Sequence, residues 1–314
     1  MFFKLFKKLN YHKKFPYFIC TPLVYGIGAA SEHIAMASAY SKKNNKKLLI
    51  FKTYFLKKFL KYEVCNNALF DSLIFNDQKI SKNFFLYRFI NILIQFEFIF
   101  RRFLAIKLKS IFNFDLGEEF RFALIGSRDL YSEKKNLSFK NLLPISINES
   151  RVDIEENEKK KCNKIIEQLN IEKRKIVCLH VRDYGYYNDK ERRNYRNSNI
   201  NNYISLIKYL IKKNYLVIRI GDKSAKKLNL INKYFIDYPF THFKSEIMDL
   251  CLLKICQFYI GTPSGPMDTA YLFNKPILLT NLYDIYPSFP RKKTDRGVFR
   301  KIRKKENGKI LSLE

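Results

Sequence analysis

The sequence predicts an α/β protein in two halves, each built on a parallel sheet, and three observations predict it. From residue 176 onward, short apolar runs alternate with stretches of helical periodicity, as in strands joined by crossover helices. Those runs are nearly continuous rather than alternating, as in Ile176-Val177-Cys178-Leu179-His180-Val181, which suits strands covered on both faces. The N-terminal half opens on a strand–turn–helix–strand pattern of the same kind.

In that first half, residues 18–25 form the opening strand candidate, and Gly26-Ile27-Gly28 a bend. A helix follows over 31–43, with Ala35, Met36, Ala39 and Tyr40 recurring at helical spacing. Strand candidates lie at 47–51, 72–75 and 121–125. Residues 84–112 are greasy but interrupted by Arg88, Gln95, Glu97, Arg101, Arg102, Lys107 and Lys109. No run reaches the ~20 apolar residues that span a bilayer. The reading is a helix pair packed under the first sheet; the alternative is a helix lying on a membrane surface, which needs an apolar face with Lys and Arg beside it.

Residues 151–175 are charged and poor in aromatics, and read as a linker followed by a helix with Ile165, Ile166 and Leu169 on one face. The expected domains are 1–155, 156–290 and a basic tail, 291–314. Within the second, strands are expected at 176–181, 215–220, 235–238, 258–260 and 277–280. Helices fall between them: one with Ile200, Tyr203, Ile204, Ile207 and Ile211 on a face, and one starting at Ser245 with Ile247, Leu250, Cys251 and Ile255 inward.

The chain has 314 residues, 47% of them apolar and 16% aromatic, enough to bury a core. Its net charge of +30 points to a phosphate-rich partner or to compositional drift toward Lys, Asn, Ile and Phe. Cys20, Cys65, Cys162, Cys178, Cys251 and Cys256 form no CxxC pair and predict neither a disulfide framework nor a zinc site. That pattern, with no convincing signal peptide, predicts a cytoplasmic protein, and the basic surface extends this to peripheral attachment at an anionic inner membrane face.

In a doubly wound sheet, ligands sit outside the carboxyl ends of the strands, and the polar clusters fall there. His180-Val181-Arg182-Asp183 ends the first strand of the second half. Arg182 suits a diphosphate, which its guanidinium grips in a fork. Asp183 suits proton abstraction from a hydroxyl, and His180 suits holding the loop. The competing reading is an ion pair of Arg182 with Asp183. Arg219, Gly221 and Asp222 end the next strand, where Asp222 either caps a helix or meets ribose hydroxyls. Gly261-Thr262-Pro263-Ser264-Gly265 follows the fourth strand, with hydroxyls and amides at a helix start, a setting that favours phosphate. The Gly-Lys-Ser/Thr ending of a P-loop is missing. Asn197-Ser198, Asp237-Tyr238, Lys244-Ser245 and Asp249 are weaker candidates, equally explained as caps or core; in the first half Gly26 and Gly28 suit a loop approaching the ligand, with Glu32 or His33 as a base.

The succession HVRDYGY, RNSNINNYI, IRIGD, DYPFTHFKSEIMDLCLL, IGTPSG and NKPILLTN, over about 170–285, resembles a bacterial glycosyltransferase family of surface-carbohydrate gene clusters. The tail 301–314 is similar to it too. IGTPSGPMDTAYLFNKP resembles, more distantly, the donor-phosphate loop of heptosyltransferases and nucleotide-sugar epimerases. The His180-x-Arg182 pair is similar to that of protein O-fucosyltransferases. The sequence departs from the heptosyltransferase pattern at Pro263, in place of an Asp, and at Asp268, in place of a His.

The resemblance implies a GT-B-like fold, two Rossmann-like domains with parallel sheets facing across a cleft. It implies transfer of a sugar from a nucleotide diphospho-sugar to a hydroxyl of a glycan or lipid-linked acceptor, with no metal or other cofactor and with inversion. Arg182, Gly261, Thr262, Ser264 and Gly265 would then meet the donor diphosphate. Gly221, Asp222, Asn197 and Ser198 complete the expected donor site, with His180 and Asp183 beside Arg182 in the catalytic set. Two rivals remain. A nucleotide-sugar 2-epimerase shares the fold but needs no acceptor. A basic nucleic-acid- or membrane-binding protein without catalysis predicts steep salt dependence and one basic stripe; here lysines are spread along the chain, against a nucleic-acid partner.

Overall fold

The computed structural model of the chain describes residues 12–22, 24, 26–52, 64–75, 78–79, 85–113, 152–169, 172–186, 194–283 and 289–310. The chain divides into two compact units, Met1–Asn163 with Tyr271–Asn274, and Lys164–Ala270 with Lys275–Glu314. Both contain parallel strands joined by helices.

In the first unit, β1 (Tyr17–Cys20) pairs in parallel with β2 (Lys47–Ile50) through the crossover helix α1 (Ile27–Lys43). The small residues of α1 are the reason it packs closely: Ala30, Ile34, Ala35, Met36, Ala37 and Ala39 are all buried. Lys42 and Lys43 close its last turn, where the helix dipole favours cations. After α2 (Ala68–Asp71), β3 (Leu73–Phe75) lies between β4 (Gln78–Lys79) and β5 (Val152–Ile154) in a second, antiparallel sheet. The strand expected at 72–75 therefore exists but runs in a separate sheet, and β5 occupies a stretch read as linker. The candidate at 121–125 lies outside the described residues.

Residues 85–112 form one continuous helix, α3 (Phe85–Phe112), rather than a packed pair. Ile90 and Ile94 join Ile19, Leu49 and Phe51 in the core over β1 and β2. Tyr87 stacks on Phe51 with ring centroids 4.4 Å apart and donates its hydroxyl to the Ile50 carbonyl at 3.1 Å. Among the described residues no helix is long and apolar enough to cross a membrane. Helix α4 (Glu156–Leu169) carries Glu156 and Glu158 in its first turn, the favourable end of the dipole for acids.

The second unit is a six-stranded parallel sheet of β6 (Lys175–His180), β7 (Tyr215–Arg219), β8 (Phe235–Asp237), β9 (Phe258–Gly261), β10 (Ile277–Leu282) and β11 (Arg296–Phe299). All five pairings are parallel. Its crossovers include α5 (Ile204–Lys212), α6 (Glu246–Ile255) and α7 (Gly265–Leu272). Ile207 and Leu210 of α5 pack with Val177, Leu179 and Val217 of β6 and β7. Burying such a side chain contributes about 1.5–3 kcal/mol. Ser245 caps α6, its hydroxyl accepting the Met248 amide at 3.3 Å.

Strand β11 comes from the stretch read as a basic tail. It is an exposed edge strand, so it lacks the apolar run that betrays a central strand. Cys20, Cys65, Cys178 and Cys256 are free thiols.

Candidate functional site

The sheet order is β8-β7-β6-β9-β10-β11. The chain winds outward from β6 through β7 to β8, then returns beside β6 with β9 and winds the other way. The direction of winding reverses between β6 and β9, and in such sheets the ligand crevice opens outside the carboxyl ends of the two strands that flank the reversal. Those ends carry His180 and Gly261, which are register partners.

Several contacts join the two strand ends. The Thr262 amide donates to the His180 carbonyl at 3.1 Å, and the Arg182 amide donates to the Thr262 hydroxyl at 2.9 Å. Ser264 Oγ lies 2.9 Å from His180 Nδ1 and donates to the Thr262 carbonyl at 3.1 Å. Burial, then the charges of Arg219 and Arg182, hold the His180 pKa down to about 3, so the ring is neutral. Gly261 is required by this seam: a Cβ there would stand 2.5 Å from the Tyr259 hydroxyl and 2.7 Å from the His180 carbonyl.

Arg182 is buried. Its Nη1 donates to Asn197 Oδ1, and its carbonyl accepts the Ser198 amide at 2.9 Å. Asn197 Nδ2 is buried with no hydrogen-bond partner. An unmet buried donor costs roughly 1–3 kcal/mol, and a ligand or water is the usual reason one persists. Arg196 Nη2 donates to the Pro263 carbonyl at 3.2 Å. Ser198, Asn197, Arg182 and the Gly261–Gly265 turn are thus one connected group.

Asp183 does not pair with Arg182 among the contacts observed. Its Oδ1 accepts the Gly185 amide and its Oδ2 the Lys226 amide, both at 3.0 Å. It ties the loop after β6 to the loop after β7, and Gly185 makes that approach possible, since a Cβ there would stand 2.3 Å from the Ser224 carbonyl oxygen. Gly221 exits β7 at φ +152°, a conformation glycine adopts freely, and a Cβ on it would come within 3.8 Å of the His180 ring. Asp222 is exposed and accepts the Ser224 amide at 2.9 Å, closing its own turn.

Arg219, from the same strand end, is fully buried and bonds both oxygens of Asp237 at 3.2 Å. The weaker candidates likewise have structural contacts. Tyr238 accepts the Ser245 amide at 3.0 Å, and Lys244 pairs with Asp249. In the first unit His33 is buried inside α1, and burial holds its pKa down to about 3. Glu32 is half-buried, Gly28 lies within the same helix, and Gly26 precedes it without a side-chain cap.

Sequence reasoning missed the supports of this site. Arg300, just beyond β11, donates to the Tyr195 and Asn197 carbonyls, both at 2.7 Å. Asn281 Nδ2 donates to Ser198 Oγ at 2.6 Å and to the Tyr203 hydroxyl at 3.2 Å, and Tyr203 shares a 2.7 Å hydrogen bond with Thr280. The NKPILLTN string contained Thr280 and Asn281, but nothing local distinguished Arg300 from the other basic residues around it. Among the described residues no group of three or more His, Cys, Asp or Glu is placed to hold a metal ion.

No protein-family model matches the sequence, and no curated protein does. Solved structures that align with it include ADP-heptose lipopolysaccharide heptosyltransferase II of E. coli, at 12% identity over 90% of both chains with a TM-score of 0.48. A family 9 glycosyl transferase of Veillonella parvula aligns at 10% identity over 93% of this chain and 86% of its own, TM-score 0.47. The iron-containing dodecameric glycosyltransferase TibC of enterotoxigenic E. coli aligns at 20% identity over 40% of this chain and 32% of its own, TM-score 0.28.

Proposed function

We propose that this chain is a glycosyltransferase whose second unit binds the diphosphate of a nucleotide diphospho-sugar. One observation carries the reading: the loop after β6 and the turn after β9 meet at the reversal of the sheet, with the Arg182 amide on the Thr262 hydroxyl. The unmet amide of Asn197 beside the Arg182 guanidinium supports it. The resemblance of HVRDYGY and IGTPSG to glycosyltransferase motifs supports sugar transfer over other uses of a diphosphate.

In the proposed reaction an acceptor hydroxyl attacks the anomeric carbon and gives up its proton to solvent water, the bond to the diphosphate breaks with its electron pair leaving on the diphosphate, and the configuration inverts. Negative charge develops on the leaving diphosphate. Arg182 and the amides at the start of α7 stabilise it; fixed donors of this kind cost no reorganisation when the bond breaks. His180 holds Ser264, and Asp183 holds the loop that carries Arg182. No metal ion is assigned a role.

Calorimetry with nucleoside diphosphates and the matching nucleosides tests the binding step. Diphosphates bind to the native chain and lose that binding in Arg182→Ala. Equal binding of the nucleoside, or an unaffected variant, removes the basis of the proposal. Turnover of a nucleotide sugar only when an acceptor is present separates transfer from epimerisation. Full activity in EDTA and a product of inverted anomeric configuration are the further outcomes expected.

A further inference from the structure

One face of α3 stays outside the core along the helix, and what it exposes follows a rule. Phe85, Phe89, Ile92, Phe96, Phe100 and Phe103 are exposed, Phe96 at 69% and Phe103 at 59%. Their spacing of four, three, four, four and three residues keeps them on one stripe. The helix has 28 residues, so it is about 42 Å long. Its opposite side holds the buried Ile90, Ile94 and Glu97. Glu97 is the only acidic residue in the helix, against Arg88, Arg101, Arg102, Lys107 and Lys109. Arg88 and Lys107 are exposed, and Lys107 Nζ lies 5.8 Å from the Phe103 ring centroid.

We infer that this stripe docks flat on a bilayer surface rich in anionic lipid. Charge selects the occupant. The exposed stripe presents phenylalanines and cations, and the one carboxylate of the helix is buried. A second copy of the chain would set cation against cation in a protein whose net charge is +30, without an acidic group on the stripe to compensate. A bilayer bearing anionic headgroups supplies both the apolar layer for the rings and the negative charge for Arg88 and Lys107. The helix lies on the bilayer rather than through it, since it is not apolar enough to cross. This inference is independent of the nucleotide site.

The test is co-sedimentation of the full chain with vesicles of phosphatidylcholine alone and with equal parts of phosphatidylglycerol. The chain pellets with the anionic vesicles, and F96S/F100S/F103S weakens that binding by at least about tenfold. K208S/K212S/K213S, which removes three exposed cations in and just after α5, changes it far less. The protein contains no tryptophan, so Phe103→Trp supplies a single fluorescent probe without disturbing the core. Its emission is quenched by lipids brominated in the acyl chain. Unquenched emission from the Phe103→Trp variant, equal binding to neutral vesicles, or full binding by the triple serine variant overturns the inference. So does a lipid-free dimer in sedimentation velocity that the triple serine variant abolishes.

Discussion

Helix α1 starts at Gly26, which offers no side-chain cap, and its first turn carries no acidic residue. Helix α7 starts from a turn whose two hydroxyls, Thr262 and Ser264, are bonded to the neighbouring strand end. Each helix follows a parallel strand, and each region holds a histidine kept neutral near pKa 3. His33 lies inside α1, where burial alone accounts for its low pKa. His180 sits at the end of β6, bonded to the α7 turn and flanked by two arginines. Every parallel α/β unit creates a helix start with free amides. What separates a candidate site from an ordinary junction is the arrival of cross-strand side chains, here a buried arginine, at the point where the winding reverses.

The largest effect expected on this contrast is from Arg182→Ala, about 10²–10³ in kcat, the cost of deleting one preorganised donor. Steady-state kinetics with a nucleotide sugar and acceptor measure it, and near-full turnover would remove the difference between the two junctions. Gly261→Ala comes next. It forces a methyl group against the His180 carbonyl and Tyr259, and chemical denaturation should show a loss of about 1–3 kcal/mol. Gly26→Ala, where a Cβ meets nothing within 4 Å, should cost far less; equal losses would mean the β9–α7 seam is no tighter than its counterpart.

Arg300→Ala sharpens the comparison at its periphery. It frees the carbonyls of Tyr195 and Asn197, so Arg182 loses a positioned partner. Diphosphate affinity should fall by about tenfold, the 1.4 kcal/mol scale of one hydrogen-bonded charge, with the far-ultraviolet spectrum unchanged. Arg300→Lys should restore only part of it, because one ammonium does not reproduce a fork.

The smallest effect per unit is a pH slope. Both histidines titrate near 3 in the folded chain and at about 6.5 when unfolded. Between these values the unfolded chain binds the extra protons, so their stabilisation is fully present above about pH 6.5 and is lost as pH falls toward 3. Each contributes about 1.4 kcal/mol per pH unit within that window. Denaturation midpoints from pH 4 to 7 should flatten by one proton in His33→Gln and by one in His180→Gln. An unchanged slope in either variant shows that its imidazole is not held neutral.

Much of the second unit was legible in the sequence. Five of its six strands were found, the four central ones because strands buried on both faces are written as unbroken apolar runs. The turn at Gly261–Gly265 and the end of β6 were found because their polar groups interrupt such runs. Asn197 and Ser198 were seen only as weak candidates, and Arg300 was not seen at all. The first unit was less legible. Residues 72–75 look like any short strand, and no local feature says that β3 pairs antiparallel with β5, a segment far along the chain.

By itself the sequence determined five of the six strands of the second unit and the helices between them, and which strand ends carry hydroxyls, glycines and an arginine. These are local properties, fixed by side-chain periodicity and backbone freedom. Only the tertiary structure decided that β6 and β9 are neighbours, that β11 closes the sheet edge, and that Arg300 reaches back to residues 195 and 197. Those choices depend on packing between segments tens of residues apart, where the free energy lies in surfaces buried together rather than in any one stretch of chain.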